Sequence, residues 1–309
     1  MVSNGCPDLG LIERTHIFRF FVKHCLCNNV NFFHLLFLIL SDKDTANFLP
    51  FMIDVRVNWF DEIDSTNSQA HRCRHEASDF TVWAAEFQTA GRGQRGNTWE
   101  SAVGENLTFS ILFKPTNFLA TRQFELSQVV ALGVVDYLST HDIEAKIKWP
   151  NDIYVGDKKI CGILIENIVS GATLSVCIAG IGLNLNQTIF LSDAPNPTSL
   201  LIELGRQSGQ LDPRHELAPL LQCIADIYFP LTDPTVSDPV RASHPTLEER
   251  YLSHLYRLDE LHTYIDLTTG ETFRGYIRGI EKNACLRIET ETGTIKSFAF
   301  KELKYIISQ

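Results

Sequence analysis

Residues 146–183, KIKWPNDIYVGDKKICGILIENIVSGATLSVCIAGIGL, contain short apolar runs separated by turn residues. The first run ends at Pro150, which lacks a backbone N–H donor and therefore stops a strand. Gly156-Asp157 favours a hairpin between strands at 153–155 and 159–168, and a further strand is expected over 174–183. Strands joined by such tight turns pair antiparallel, so this segment predicts an antiparallel sheet.

The pattern around this segment adds further strands and helices. Strands are expected at 55–60, 81–87 and 107–113. A helix with a broad apolar face is predicted over 122–139, and shorter helices at 65–74, 198–204, 216–228 and 246–254. Hairpins with intervening helices predict an α+β fold, with a mixed, mainly antiparallel sheet flanked by helices.

The C-terminal segment has a different sequence pattern, with short strands separated by turn residues. Five short strands are predicted in about fifty residues, at 262–267, 272–280, 284–290, 294–299 and 303–307. Turn residues such as Thr269-Gly270 and Thr292-Gly293 separate them. Many short strands in so few residues predict a small β-barrel.

Composition limits the functional class. The chain has 309 residues, 44% of them hydrophobic, and 27 Lys and Arg against 37 Asp and Glu give a net charge of −10. This is a globular composition, and its charge disfavours bulk binding to nucleic acid or to an anionic membrane. The eight scattered cysteines form no zinc or redox motif, which suits reduced thiols and predicts a cytoplasmic protein.

The apolar stretch NFFHLLFLIL at 31–40 is too short for the ~20 apolar residues that span a bilayer. A second methionine, Met52, stands just before the first well-patterned strand. We therefore interpret residues 1–51 as a leader that the working protein need not contain. The predicted organisation is this leader, a catalytic domain at 52–258 and a barrel at 259–309.

A glycine-rich segment, QTAGRGQRGNTW at 88–99, follows a predicted strand. Its glycines let backbone N–H groups approach an anion, and its two arginines add planar cationic groups suited to phosphate. The spacing matches neither a dinucleotide fingerprint nor a Walker loop. The segment alone indicates either a phosphate-binding loop or a solvated surface loop.

Three further polar segments are candidates for binding or catalysis. Lys148-Trp149-Pro150-Asn151-Asp152 fixes a lysine beside a turn, although an ordinary turn with a solvated lysine has the same pattern. Gly180-Ile181-Gly182-Leu183-Asn184 ends a strand in an amide that suits a purine edge or a turn. Ser65-Thr66-Asn67 either caps a helix or recognises a small polar ligand.

These segments occur together, in the chain order 65–67, 88–99, 148–152 and 180–184, in the biotin protein ligases, which the sequence resembles from Met52 to its C-terminus. The segment Gly162-Ile163-Leu164-Ile165-Glu166 belongs to the same resemblance. It implies a catalytic domain related to class II aminoacyl-tRNA synthetases, followed by an SH3-like barrel. It also implies that biotin and ATP, with Mg²⁺, form biotinoyl-5′-AMP, and that biotin then passes to a lysine of a biotin carboxyl carrier protein.

The resemblance implies residue roles, with Lys148 and Arg92 as the catalytic pair. The residues implied for biotin are Ser65, Thr66, Asn67, Gln88, Arg92, Gly93, Gln94 and Lys148. Those implied for ATP and the adenylate are Gly91, Arg92, Gly93, Arg95, Gly96, Trp99, Lys148, Asn151 and Asn184. No metal ligand is assigned.

Two departures from the family pattern matter. Gln94 stands where the family often has an arginine that helps to retain the adenylate, so retention rests on Arg92, Arg95 and loop ordering. The first fifty residues carry no pattern of the DNA-binding winged helix-turn-helix, which predicts the monofunctional type without nucleic-acid binding.

Three alternatives stay open. A lipoate or octanoate ligase shares the fold, a biotin sensor would lack catalysis, and a pure interaction module would use the barrel alone. The resemblance also leaves a homodimer open, and no membrane association is expected.

Overall fold

The structure, a computed structural model, describes residues 55–191, 196–205, 210–232 and 245–307. The predicted leader at 1–51 lies outside the described residues. Ile53–Gln309 form one compact unit. The predicted boundary between 258 and 259 stays a prediction.

A seven-stranded sheet forms the centre of this unit. Its strands are β1 (Val57–Ile63), β2 (Thr81–Gln88), β3 (Leu107–Phe113), β4 (Lys146–Lys148), β5 (Asp152–Val155), β6 (Lys158–Ser170) and β7 (Thr173–Leu183). The strand order is β1-β2-β3-β7-β6-β5-β4. The β1–β2 pair is parallel and the other neighbours pair antiparallel. The predicted mixed, mainly antiparallel sheet is confirmed.

Helices cover both faces of this sheet. They are α1 (Thr66–Cys73), α2 (Gln123–Ser139), α3 (Leu200–Glu203), α4 (Pro213–Thr232) and α5 (Leu247–Ser253). The long helices α2 and α4 pack on each other and on one face, where α2 contributes eleven buried residues. On the other face Ala70 of α1 packs against Trp83 and Leu112. All seven residues of β3 are buried as a result.

A second, five-stranded sheet follows. Its strands are β8 (Leu261–Asp266), β9 (Thr272–Ile280), β10 (Leu286–Thr290), β11 (Ile295–Phe298) and β12 (Leu303–Tyr305). The order is β11-β10-β9-β8-β12, and every neighbouring pair is antiparallel. Tyr264, Ile277 and Leu286 are buried in the main core. The predicted small C-terminal β domain is confirmed.

The segment after α5 supports β4 at the edge of the larger sheet. The backbone N–H of Ile147 donates to the carbonyl of His254 at 2.7 Å, and that of Tyr256 donates to the carbonyl of Ile147 at 2.9 Å. Because of these bonds, β4 is paired on both sides and holds its residues in one position.

We expect Thr246→Ala to lower the free energy of unfolding by about 1 kcal/mol. Thr246 begins α5 with a capping box, because its Oγ1 accepts the N–H of Glu249 at 3.2 Å while its own N–H donates to Glu249 Oε2 at 2.7 Å. Urea denaturation of the full chain measures the change. Thr246→Ser keeps the hydroxyl and serves as the control; an equal loss in both variants would contradict the capping role.

No helix among the described residues has the length and apolar character needed to cross a membrane. In the described part of the chain five cysteines are thiols without a disulfide bond.

Candidate active site

The start of α1 forms one wall of a cleft that we call the central cleft; it is bounded by α1, the loop at 88–99, β6 and β7. Ser65 is extended and its hydroxyl caps α1 by accepting the N–H of Ser68. Capping turns the chain sharply here, so Ser65, Thr66 and Asn67 are buried at the helix start while all three line the cleft.

Neighbouring strands hold these polar groups in place. The N–H of Thr66 donates to Gln88 Oε1 at 2.8 Å, and its hydroxyl lies 3.2 Å from the same oxygen. The hydroxyl of Ser110 lies 2.8 Å from Thr66 Oγ1 and 2.5 Å from Asn67 Oδ1. Such a satisfied network fixes the direction of each donor and acceptor, as recognition of a small polar ring requires.

Glu166, near the middle of β6, connects this network to the glycine-rich loop. Its carboxylate accepts from Asn67 Nδ2 at 2.9 Å and pairs with the guanidinium of Arg92. His71 Nε2 lies 3.4 Å from the same carboxylate. Glu166 therefore aligns both Asn67 and Arg92 at the mouth of the cleft.

The loop at 88–99 folds as a small closed turn rather than a solvated strand of chain. The N–H of Gly93 donates to the carbonyl of Asn97 at 2.7 Å, and the N–H of Trp99 donates to the carbonyl of Gly91 at 3.1 Å. The 3₁₀ turn Gln94–Gly96 lies between these bonds. Trp99 thus turns back onto the sheet and lines the central cleft.

Two glycines of β7 make room for the groups of the cleft. A Cβ atom at Gly180 would lie 2.1 Å from Asn67 Oδ1, and one at Gly182 would lie 2.2 Å from Trp99 Cε2. Real side chains never approach so closely, so only glycine permits Asn67 and Trp99 to rest on the strand. The Gly-x-Gly spacing places both gaps on one face of β7.

Lys159 is the lysine that lines the central cleft. Its Nζ lies 2.7 Å from Asp152 Oδ1 and 5.6 Å from the centre of the Trp99 ring. The β5–β6 hairpin brings it there, since Lys159 stands opposite Tyr154 and Asp152 opposite Gly162. A cation therefore lies beside the indole in the central cleft.

Lys148 lies on the far side of Asp152, in a second cleft that we call the lysine cleft, bounded by β4, β5 and residues 301–307. Its Nζ lies 3.8 Å from Asp152 Oδ2. It also lies over the rings of Tyr154 and Tyr305, 5.1 and 4.8 Å from their centres. Asp152 thus links the lysines of the two clefts.

Burial lowers the pKa of the Lys148 ammonium group below its ordinary value. The carboxylate of Asp152 raises it, while the nearby cations Lys159 and Arg257 lower it further. The charge of Lys148 therefore depends on Asp152, and an anion entering the lysine cleft would favour the charged form.

The structure brings most of the predicted site residues together. Those that line the central cleft are Ser65, Thr66, Asn67, Gln88, Arg92, Gly93, Gln94, Trp99 and Asn151. Gly91 and Gly96 shape the loop behind it. The backbone of Arg95 lies in the 3₁₀ turn. Lys148 lines the lysine cleft together with Gln94 and Asn151.

The role of Asn184 at the adenine stays a prediction. Asn184 is buried at the end of β7, where its Nδ2 donates to the carbonyl of Thr198 at 2.8 Å. Its Oδ1 and the Nε1 of Trp99 are buried without a hydrogen-bond partner among the described residues. Asn184 therefore joins β7 to the segment before α3, whereas Trp99 keeps an unused donor at the cleft.

Two residues were not assigned a role from sequence. Lys159 lies in the predicted strand 159–168, where the sequence does not distinguish it from its neighbours. Glu166 ends the segment 162–166, for which the sequence indicates no function. The signal for both was the recurrence of a charged side chain at the ends of an apolar run, Lys159 before it and Glu166 after it.

Comparison with protein families places these residues in a known context. The model of the Biotin/lipoate A/B protein ligase family matches residues 59–184, a range that contains every residue lining the central cleft.

Individual proteins with similar sequences or structures are also named as ligases. The bifunctional ligase/repressor BirA of Bacillus spizizenii is 28% identical over 243 residues, which are 77% of this chain and 71% of that protein. The biotin--[acetyl-CoA-carboxylase] ligase of Paracoccus denitrificans is 36% identical over 125 residues, 40% of this chain and 51% of that protein. The structure of the biotin protein ligase from Aquifex aeolicus in complex with biotin and ATP is similar with a TM-score of 0.63 and 26% identity; the match covers 81% of this chain and 99% of that one.

Proposed function

We propose that the chain belongs to the biotin/lipoate A/B protein ligase family and that it is an ATP-dependent biotin protein ligase. In the first step a biotin carboxylate oxygen attacks the α-phosphorus of ATP, the bond to the bridging oxygen breaks and pyrophosphate leaves. In the second step a lysine amine of a carrier protein takes the biotinoyl group and AMP leaves. The observation that carries this proposal is the central cleft. It contains the buried residues Ser65, Thr66 and Asn67, which we call the polar wall, together with the cation of Lys159 and the indole of Trp99.

The polar wall suits the ureido ring of biotin, which presents N–H donors and a carbonyl acceptor in one plane. Thr66 and Asn67 are buried and held by Ser110, Gln88 and Glu166, so they need no reorganisation when the ring binds. Phe109, Ile163 and Ile181 line the remainder of the cleft and suit the apolar part of the ligand.

Lys159 is the cation that we propose beside the biotin carboxylate and the α-phosphate. The family resemblance implies this role for Lys148, which lines the adjoining lysine cleft and shares Asp152 with Lys159. Lys159 lines the central cleft itself. A reaction between the biotin carboxylate and the α-phosphate, both anions, requires fixed positive charge more than it requires a base. Lys159 supplies this positive charge together with Arg92. We propose that Lys148 holds Asp152 in place and contacts the outer phosphates of ATP.

Trp99 is proposed to bind the adenine ring, since its indole lines the cleft beside Lys159 and its Nε1 donor is unused. Mg²⁺ enters the proposal with the ATP phosphates, as part of the substrate. The described residues contain no group of three His, Cys, Asp or Glu side chains suited to a metal ion, and Asp152 pairs with two lysines.

The acceptor is proposed to be the biotin carboxyl carrier domain of a biotin-dependent carboxylase. A cytoplasmic location is proposed because the eight scattered cysteines form no zinc or redox motif and suit reduced thiols. The monofunctional type, a homodimer and altered adenylate retention at Gln94 stay predictions.

We expect the full chain to release pyrophosphate from Mg²⁺-ATP when biotin is added and not when lipoate is added. The cleft ends in a hydrogen-bonded polar wall, which suits a ureido ring, whereas the dithiolane of lipoate has no N–H or carbonyl group to bond to it. A coupled pyrophosphate assay with each acid measures the difference. Release with lipoate alone would identify a lipoate ligase, and biotin binding without release would identify a sensor.

A further inference from the structure

Gln94 and Asn151 stand where three cavities meet. They line the central cleft, the lysine cleft and a third cavity that we call the amide groove. The amide groove is bounded by the start of α2, by β6 and by residues 283–285 and 299–300 of the C-terminal domain. Two openings therefore lead from outside to the place where the adenylate would form.

The two openings differ in charge. The lysine cleft is lined by Lys148, Lys301 and Lys304 and by one carboxylate, that of Asp152, so its lining is positive on balance and suits phosphate groups. The described residues that line the amide groove include no Asp, Glu, Lys or Arg. A second cation, such as an acceptor lysine, is repelled in the first opening and meets no such barrier in the second.

The walls of the amide groove suit a peptide. Five amide side chains line it, and amides can both donate to and accept from a peptide backbone. Phe124 and Phe300 supply apolar surface, and Phe300 packs edge-on against Trp149 with ring centres 5.2 Å apart.

Asn167 shows an unused acceptor at this wall. Its Nδ2 donates to Gln123 Oε1 at 2.9 Å, while its Oδ1 is buried and has no hydrogen-bond partner among the described residues. A buried carbonyl without a donor is unfavourable, so an additional N–H from a bound chain would be stabilising here.

We propose that the amide groove binds the peptide segment of the acceptor protein that carries the target lysine, a proposal that rests on the ligase function above. The groove leads the lysine past Gln94 and Asn151 to the adenylate. The neutral amine then forms a C–N bond to the acyl carbon, the acyl C–O bond to the phosphate breaks, AMP leaves with that electron pair, and the amine loses a proton to water. ATP and pyrophosphate use the lysine cleft.

Ser127→Arg tests the groove, because Ser127 lines it from α2 and has no place in the cleft chemistry. The probe is a purified bacterial biotin carboxyl carrier domain. We expect its KM to rise about tenfold or more, since the longer side chain fills the groove and its charge opposes the incoming lysine. Biotin-dependent exchange of pyrophosphate into ATP, and capture of the adenylate by hydroxylamine, should stay unchanged because neither requires the groove.

Two further variants separate size from charge. Ser127→Glu adds similar bulk with the opposite sign, so its increase in KM should be smaller. Ser139→Arg adds the same group at the far, exposed end of α2 and should change nothing. An unchanged carrier KM in Ser127→Arg, or a parallel loss of pyrophosphate exchange, would overturn the groove proposal. Absence of exchange in the unaltered chain would instead overturn the ligase function.

Discussion

Replacing Lys159 with alanine is expected to lower the rate of biotin-dependent pyrophosphate release by about a thousandfold. The ammonium group of Lys159 lines the central cleft between Asp152 and Trp99, where a carboxylate and the α-phosphate would have to meet. Without it, the two anions approach each other with less positive charge to offset their repulsion. The rate at saturating biotin and Mg²⁺-ATP measures this loss, and calorimetry with biotin alone measures any loss of binding.

Matched lysine variants distinguish this role from a general loss of charge. Lys148→Ala should lower the rate less, by about tenfold, because Lys148 acts through Asp152 and from the neighbouring cleft. Lys146→Ala, on the same strand, should leave the rate unchanged, because the Lys146 side chain pairs with the exposed Glu144. If Lys148→Ala abolished release and Lys159→Ala did not, the assignment made from sequence would be the right one.

The positions of Lys148 and Lys159 relative to the two clefts could not be predicted from the sequence. Both lie in one stretch with Asp152, and the segment around Lys148 is the more distinctive by its proline and its asparagine. The position of Lys159 relative to Asp152 depends on the pairing of β5 with β6, whose register shifts between Ile153 and Tyr154. A shift of one residue reverses the face of a strand, and spacing along the sequence does not reveal it.

The strands were predicted well because their signals are local. β3 and β9 begin and end at the predicted residues, since a run of apolar residues bounded by polar ones is sufficient to mark them. The turn at Gly156-Asp157 likewise set the β5–β6 hairpin. The helix ends differ by a few residues; α4 extends from Pro213 to Thr232, beyond the predicted 216–228.

The role of Glu166 depends on non-local contacts. Asn67 and Glu166 are far apart in the chain and meet because α1 packs over β2, β3 and β7, and β6 is the neighbour of β7 in the sheet. The bond from Asn184 to Thr198 is equally non-local, since the segment before α3 returns to the end of β7. Such pairings follow from the strand order rather than from the motif that contains each residue.

Gly180→Ala is expected to raise the KM for biotin about a hundredfold and to change the KM for ATP much less. The new methyl group would lie 2.1 Å from Asn67 Oδ1, so Asn67 must leave its position against Ser110 and Glu166. Asn67 is part of the wall proposed for the ureido ring. Initial rates of pyrophosphate release with each substrate varied in turn measure both constants.

Gly182→Ala is the matched variant, since it adds the same methyl group two residues along the same face of β7. Its Cβ would lie 2.2 Å from Trp99 Cε2, so it displaces the indole and should raise the KM for ATP more than that for biotin. Circular dichroism establishes that both variants are folded. A reversal of the two substrate preferences, or an equal change in both constants for both variants, would show that the polar wall and the indole do not bind separate substrates. Opposite preferences in two otherwise equivalent alanines are difficult to obtain from a general loss of stability, because unfolding would reduce the amount of active enzyme without selecting one substrate.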